Sequence, residues 1–280
     1  MLPDSRRVVE IMRAVAASEI MPRFRRLTTS DVAAKKGPLD VVTIADVEAE
    51  RALSAALTAL LPGSTVVGEE GADASPDVLT ALDGADPVWV IDPVDGTLNF
   101  AEGRACFAVI VALCRRGETL AGWILDPVAG IAVGAAVGEG AWIDDGGSPR
   151  PLRLPPPRPI RQMSGSLGRG LGRRVERRRD SGRAEGPANM VKYGCTGREY
   201  MELGQGLLDF AQYTRLKPWD HAAGVLIHTE AGGYSRIVET GLPYRAQGRI
   251  LESTVLLAPD QASWAALHRL LEDARLDAIV

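Results

Sequence analysis

Between Cys106 and Gly147 the chain runs through apolar stretches separated by short glycine-bearing turns: "CFAVIVALCRRG" is followed by "TLAGWILDPVAGIAVGAAVGEGAWIDDGG". Turns this short join consecutive strands as hairpins, so the region predicts an antiparallel sheet. Helical patterns precede it. Val8, Val9, Ile11, Met12, Val15 and Ile20 recur at helical intervals before Pro22, and a second helix is expected from about Asp46 to Leu60, stopped by Leu61-Pro62-Gly63. "STVVGEEG" reads as a brief strand running into two glutamates, and Val88 to Ile91 as a short, fully apolar strand.

The segment from Gly146 to Pro159, "GGSPRPLRLPPPRP", is dense in proline and glycine and reads as a linker. It divides the chain into an α+β domain, residues 1–147, and an α/β domain, residues 148–280. The second is expected to be helical from Tyr200 to Leu208, from near Asp220 to Gly232-Gly233, and from Gln261 to Ala274.

At 280 residues with 46% hydrophobic content, the chain can bury a sizeable core. Its net charge of -4 hides an asymmetry: residues 150–183 hold eleven arginines against Glu176 and Asp180, leaving the remainder acidic enough to hold cations. The arginine run predicts a solvated face, or a lid or dimer edge that steers anionic substrates. Nucleic-acid binding would call for aromatic interleaving or a known module, and the sequence has neither. No apolar run reaches the ~20 residues of a bilayer span, and no targeting segment stands out. Cys106, Cys114 and Cys195 are odd in number and widely spaced, which predicts no disulfide framework and fits the cytoplasm.

The chemistry is concentrated in "WVIDPVDGTLNF". A buried strand through Val90 and Ile91 meets Pro93, which is expected to end it in a turn that delivers Asp92 and Asp95 at a fixed edge. Gly96 and Thr97 suit the opening of a helix, whose free N–H groups favour an anion. Two carboxylates beside an anion site repel that anion unless a divalent cation lies between them. Further acids stand at other element boundaries: Glu69 and Glu70 after "TVVG", Asp46 after "VVTIA", and Asp220 after "LKPW". An all-oxygen set selects Mg²⁺ over zinc. An isolated Asp-x-x-Asp would be only a capped turn, and the four motifs in order are what argue against that.

Together, "DVVTIADVEAE", "GEEG", "IDPVDGTLNF" and "WDHAAGVLIHTEAGG" resemble the motif series of the inositol monophosphatase family of Mg²⁺-dependent, lithium-sensitive phosphatases, over about residues 5–275. The resemblance implies a layered αβαβα sandwich, two or three Mg²⁺ ions per site and a homodimer. It implies that Glu69, Asp92 and the Val94 carbonyl bind one ion, and that Asp92, Asp95 and Asp220 bind a second. Glu69 and Thr97, with Asp46 as the hydrogen-bond partner of Thr97, would activate the attacking water. The Gly96 and Thr97 amides would receive phosphate. Glu70 would support the site from behind, and Lys36 falls in a loop that is metal-sensitive in relatives.

The chain departs from the inositol-specific pattern on the alcohol side. Tyr213 stands where those members carry an acid seven positions before the Trp-Asp aspartate, and "YGCTGREY", with Cys195 and Thr196, replaces a Gly-Ser-Ala segment lining the pocket. His221 adjoins Asp220, where it could face substrate. A small phosphorylated alcohol is therefore expected: an inositol phosphate, histidinol phosphate or a sugar phosphate. The alternatives are 3′-phosphoadenosine 5′-phosphate, fructose 1,6-bisphosphate, or a non-catalytic phospho-ligand or metal-binding regulator on the same fold. A haloacid dehalogenase-like aspartyl nucleophile is disfavoured because Asp-x-x-Asp lacks that motif's alternating spacing.

Overall fold

The structure is a computed structural model describing residues 2–37 and 40–276, with the side chains of Lys36 and Asp40 outside that description. A hairpin, β1 (Val32–Gly37) and β2 (Asp40–Thr43), stands apart from two larger sheets. The first has seven strands in sequential order: β3 (Thr65–Gly68), β4 (Val88–Asp95), β5 (Ala108–Arg115), β6 (Glu118–Asp126), β7 (Ile131–Ala136), β8 (Gly140–Asp144) and β9 (Arg150–Leu152). Only β3 and β4 pair in parallel; from β4 onward the sheet is the antiparallel meander that the short turns predict. β9 lies inside the proline-rich stretch. Its Pro151 is accommodated because β9 is an edge strand with a partner on one side only.

The second sheet joins β10 (Ser164–Ser166), β11 (Asn189–Val191), β12 (Phe210–Leu216), β13 (Tyr234–Ile237) and β14 (Leu251–Ala258) in the order β11-β10-β12-β14-β13.

Three cores account for the layering. Trp89, Ile91, Val109, Val111 and Trp123 face α1 (Ser5–Val15) and α2 (Ile44–Leu60). The alternate residues Val88, Val90, Ile110, Ala112 and Ile124 face the opposite way. They pack on α6 (Thr196–Gly204) and α7 (Pro218–Glu230), which in turn contact Ala211, Tyr213, Val255 and Leu257 of the second sheet. The outer face of that sheet, Phe210, Leu256 and Ala258, is covered by α5 (Arg169–Asp180) and α8 (Gln261–Leu276). The result is an αβαβα sandwich. Strands covered on both faces need apolar residues at every position, hence the unbroken runs in the sequence. α3 (Glu69–Ala74) and α4 (Thr97–Ala101) are short helices at strand ends. No helix among the described residues is long and apolar enough to cross a membrane.

Two local expectations are revised. β4 does not stop at Ile91 but continues through Asp95, with a register irregularity between Asp92 and Asp95. Pairing with β3 ends at Gly68–Ile91, so Pro93 interrupts no ladder on that side. α2 begins at Ile44, and Asp46 closes a capping box with Thr43 rather than opening the helix. Within the arginine-rich stretch, Arg169–Asp180 form α5, which packs through Gly172 and Val175 and leaves its other residues exposed or half-buried, in keeping with the solvated face expected.

Candidate active site

Strand and helix ends converge at one place. Oxygens of Glu69, at the start of α3, Asp92, at the end of β4, and Asp220, in the first turn of α7, lie within 4.8 Å of one another. Asp92 is 2% exposed. Burial raises its pKa well above the ordinary carboxylate range, and the charges of Glu69, Asp95 and Asp220 raise it further. Burial likewise pushes Asp220 up to about 8, against the lowering effect of Lys217. Crowded carboxylates with oxygen-only donors fit a hard divalent cation, because such an ion removes the repulsion that keeps them protonated.

Asp95 faces a different set of partners. Its Oδ2 accepts from the Gly197 amide at 2.6 Å and the Cys195 thiol at 3.0 Å, so α6 anchors it to the second half of the chain. Burial raises its pKa, and these donors offset part of the rise. Glycine is required at two neighbouring positions. Gly96 has φ +89°, and a Cβ there would meet the Cys106 carbonyl at 3.0 Å; a Cβ on Gly197 would meet the Ala108 Cβ at 2.8 Å.

Thr97, the first residue of α4, has its hydroxyl 3.1 Å from Asp46 Oδ1 and 3.0 Å from the Val94 carbonyl. Asp46 Oδ2 accepts from the Thr43 amide and hydroxyl at 2.9 and 2.6 Å. Burial pushes Asp46 up to about 6, with the Thr43 and Thr97 hydrogen bonds pulling the other way. The Val94 side chain is buried in the outer core, and its amide donates to Asp92 Oδ1 at 3.1 Å.

On the alcohol side, a pocket of about 500 Å³ is lined by Thr196, Tyr213, Asp220 and His221. The Tyr213 ring packs, tilted, against His221, with ring centroids 4.9 Å apart, and against Tyr200, at 5.3 Å. His221 is buried and held neutral, its pKa lowered to about 3 by burial and by Lys192 and Lys217. Cys195 does not line this pocket; it lies beneath Asp95 and caps α6 by accepting from the Arg198 amide. A larger cavity, of about 920 Å³, is lined by Val225, Leu242 and Tyr244 and by none of the site acids.

Sequence reasoning missed several partners. Lys35 Nζ reaches Glu70 at 2.8 Å, Asp73 at 3.0 Å and Glu69 at 3.4 Å. The side chain of Lys36, named from the sequence instead, lies outside the described residues. Glu70 is pushed up to about 7 by burial despite Lys35. Lys217 lies 3.3 Å from Glu69, and the surrounding acids raise its pKa although burial opposes this. Glu50 accepts from the Glu70 and Gly71 amides at 2.9 and 2.8 Å, capping α3. Its position one helical turn beyond Asp46 is a signal that could have found it. Nothing in the local sequence points to Asn99, whose amide holds the Cys106 and Tyr193 carbonyls together at 2.8 and 3.0 Å.

The profile of the inositol monophosphatase family matches residues 5–276. An inositol-1-monophosphatase of Mycobacterium leprae is 34% identical over 246 residues, 85% of this chain and 81% of that protein. A fructose-1,6-bisphosphatase/inositol-1-monophosphatase of Thermotoga maritima is 29% identical over 206 residues, 72% of this chain and 73% of that protein. Among solved structures, an IMPase of Thermotoga maritima superposes with a TM-score of 0.76 at 23% identity, covering 96% of each chain, a likeness of fold.

Proposed function

The chain belongs to the inositol monophosphatase family, and from that premise we propose that it is a Mg²⁺-dependent phosphomonoesterase acting on a small phosphorylated alcohol by direct attack of water. The observation that carries this reading is the convergence of Glu69, Asp92 and Asp220 within 4.8 Å. In this reading Asp95 and the Val94 carbonyl complete the ligand set, residues 1–147 supply most of the site, and residues 148–280 supply Asp220. When bound there, Mg²⁺ supplies Lewis-acid polarisation of the phosphoryl oxygens and acidifies water.

The chain's own groups do the positioning. Glu69 and the Thr97 hydroxyl orient the attacking water, and Thr97 passes hydrogen-bond polarity to Asp46 Oδ1, 3.1 Å away. With a pKa of about 6, Asp46 is mainly ionised at neutral pH and suited to accept from Thr97. The amides of Gly96 and Thr97 face the phosphoryl group, since the first turn of α4 leaves them without intrahelical acceptors. Thr196, Tyr213 and Asp220 line the space for the leaving alcohol. Water attack, rather than an aspartyl nucleophile, is favoured because Asp92 and Asp95 are both committed: Asp92 to the acid cluster and Asp95 to α6.

The test is turnover of p-nitrophenyl phosphate and a panel of phosphomonoesters by protein stripped with EDTA and then resupplied with Mg²⁺. Turnover that needs the metal and is inhibited by Li⁺ supports the reading. A folded protein without turnover on any ester would favour a phospho-ligand-binding regulator. Light scattering tests the homodimer that belongs to the same reading.

A further inference from the structure

Asp95 is held by a cysteine, and that cysteine has a second cysteine beside it. Cys195 Sγ donates to Asp95 Oδ2 at 3.0 Å. The Cys106 thiol, distant in sequence, lies within hydrogen-bond reach of the Cys195 thiol. The backbone around them fixes this meeting. Asn99 Nδ2 donates to the carbonyls of Cys106, Tyr193 and Gly194 at 2.8, 3.0 and 3.3 Å, so one side chain holds Cys106 and the residues just before Cys195. A Cβ built on Gly96 would lie 3.0 Å from the Cys106 carbonyl oxygen and 3.1 Å from the Cys195 Cβ, which puts both residues around one point. Both are free thiols in the structure.

The two sulfurs differ in access. Cys195 is buried, whereas Cys106 is half-buried between α4 and β5, and Arg104 and Ala105 before it are exposed. An oxidant in solution therefore meets Cys106 first. The hydrogen bond with Cys195 lowers the Cys106 pKa, burial opposes it, and the charge of Arg198 adds to the lowering. An accessible thiol of this kind, with a second thiol poised beside it, is the arrangement that peroxides oxidise reversibly. Cys114 is unlike the pair. It is buried in β5, burial pushes its thiol up to about 12, and its sulfur meets the Thr119 hydroxyl at 3.7 Å.

We propose that Cys106 and Cys195 form an oxidative modification site, in which hydrogen peroxide joins them in a reversible disulfide that takes the thiol donor from Asp95 and lowers turnover. The Cys106 sulfur attacks the peroxide O–O bond, giving a sulfenic acid and one water. The Cys195 sulfur then displaces the sulfenic hydroxyl, which leaves with the Cys195 proton as a second water. The two thiols are oxidised by two electrons and the peroxide is reduced by two. A dithiol reverses the bond by exchange. In the disulfide the sulfurs stand about 2 Å apart and carry no proton, so Cys195 is drawn toward Cys106 and ceases to donate to Asp95. Asp95 keeps the Gly197 amide and loses the thiol. The effect on turnover rests on the phosphatase reading; the bond does not.

The test treats the reduced full chain with hydrogen peroxide and follows free thiols, tryptic peptides and Mg²⁺-dependent turnover of p-nitrophenyl phosphate. The thiol count is expected to fall from three to one, and a peptide joining Cys106 to Cys195 to appear. Turnover is expected to fall by about tenfold or more, as small misplacements of a site group do, and dithiothreitol is expected to restore it. Cys106→Ser, at a half-buried position outside the acid cluster, should keep its turnover both before and after peroxide. Peroxide that leaves all three thiols free, or oxidises Cys106 with no linked peptide, overturns the proposal. A linked peptide with turnover unchanged overturns its hold on Asp95. Protein that forms the linked peptide but hydrolyses no ester even when reduced overturns the phosphatase reading, and with it the effect on turnover, while the bond stands.

Discussion

The Thr97 hydroxyl and Asp46 Oδ1 meet at 3.1 Å across 51 positions of sequence. Asp46 is held from behind by Thr43, so the capping box of α2 doubles as the support for the first residue of α4. One carboxylate thereby ties a helix start to the strand end that carries Asp92 and Asp95.

Because Thr97 contributes a hydroxyl and little packing, Thr97→Val is expected to lower kcat by about 10²-fold or more with an unchanged far-UV spectrum. Asp46→Ala should add a stability loss of about 1 kcal/mol, the usual worth of a helix cap. Thr97→Ser restoring most of the rate would confirm the hydroxyl as the active element. Equal stability losses in Thr97→Val and Asp46→Ala would point to a purely structural pair.

Asp92 is buried among like charges. Saturating Mg²⁺ is expected to raise the melting temperature of EDTA-stripped protein by several degrees, as about 2.7 kcal/mol of linkage at a hundredfold excess over Kd would do. Asp92→Asn should melt at or above the stripped wild type, respond weakly to Mg²⁺ and lose activity. A Mg²⁺-insensitive wild-type melting curve would contradict the cation site.

His228 lies far from these acids, buried in α7 with Nδ1 2.9 Å from Ser235 Oγ, and burial lowers its pKa to about 4. Below its ordinary value of about 6.5 the unfolded chain binds a proton that the fold refuses. Its contribution to stability is therefore present above pH 6.5 and lost as pH falls toward 4. Denaturant titrations over that window should show stability falling with pH, and His228→Gln should flatten the slope. A slope unchanged by the substitution would assign the loss to other groups.

Gly197→Ala would place a methyl 2.8 Å from the Ala108 Cβ and 3.2 Å from Asp95 Oδ2. The expected cost is about 1–3 kcal/mol for overpacking, together with a fall in kcat as Asp95 shifts. Thermal melting and kinetics on the same preparation check both. An alanine variant with full activity would mean that Asp95 need not be held where α6 holds it.

The acids of the site were legible because each follows an apolar run or opens a helix, positions where a carboxylate is held yet reachable. Thr97 was legible beside its glycine for the same reason. Their supporting cations were less so. Nothing in the sequence around Lys35 says that its ammonium reaches Glu69 and Glu70, thirty-four and thirty-five positions on. The continuation of β4 past Pro93 was missed because a proline reads as a strand end unless one knows that the neighbouring strand has already stopped at Gly68. Three layers of helices followed from no single periodicity. They appear only when alternate residues of β4 and β5 are seen packing on opposite helix pairs.

The sequence by itself determined the local chemistry: which carboxylates stand at element ends, where a glycine lets a helix open, and which strands are apolar throughout. Those are short-range properties, set by side-chain type and backbone preference within a few residues. Only the tertiary structure decided that Cys195 and Gly197 hold Asp95, that Lys217 reaches Glu69, and that arginines from α5, β12 and α8 line one pocket. Contacts between residues a hundred positions apart depend on how the layers stack, and stacking is fixed by apolar faces that carry no record of which polar groups they bring together.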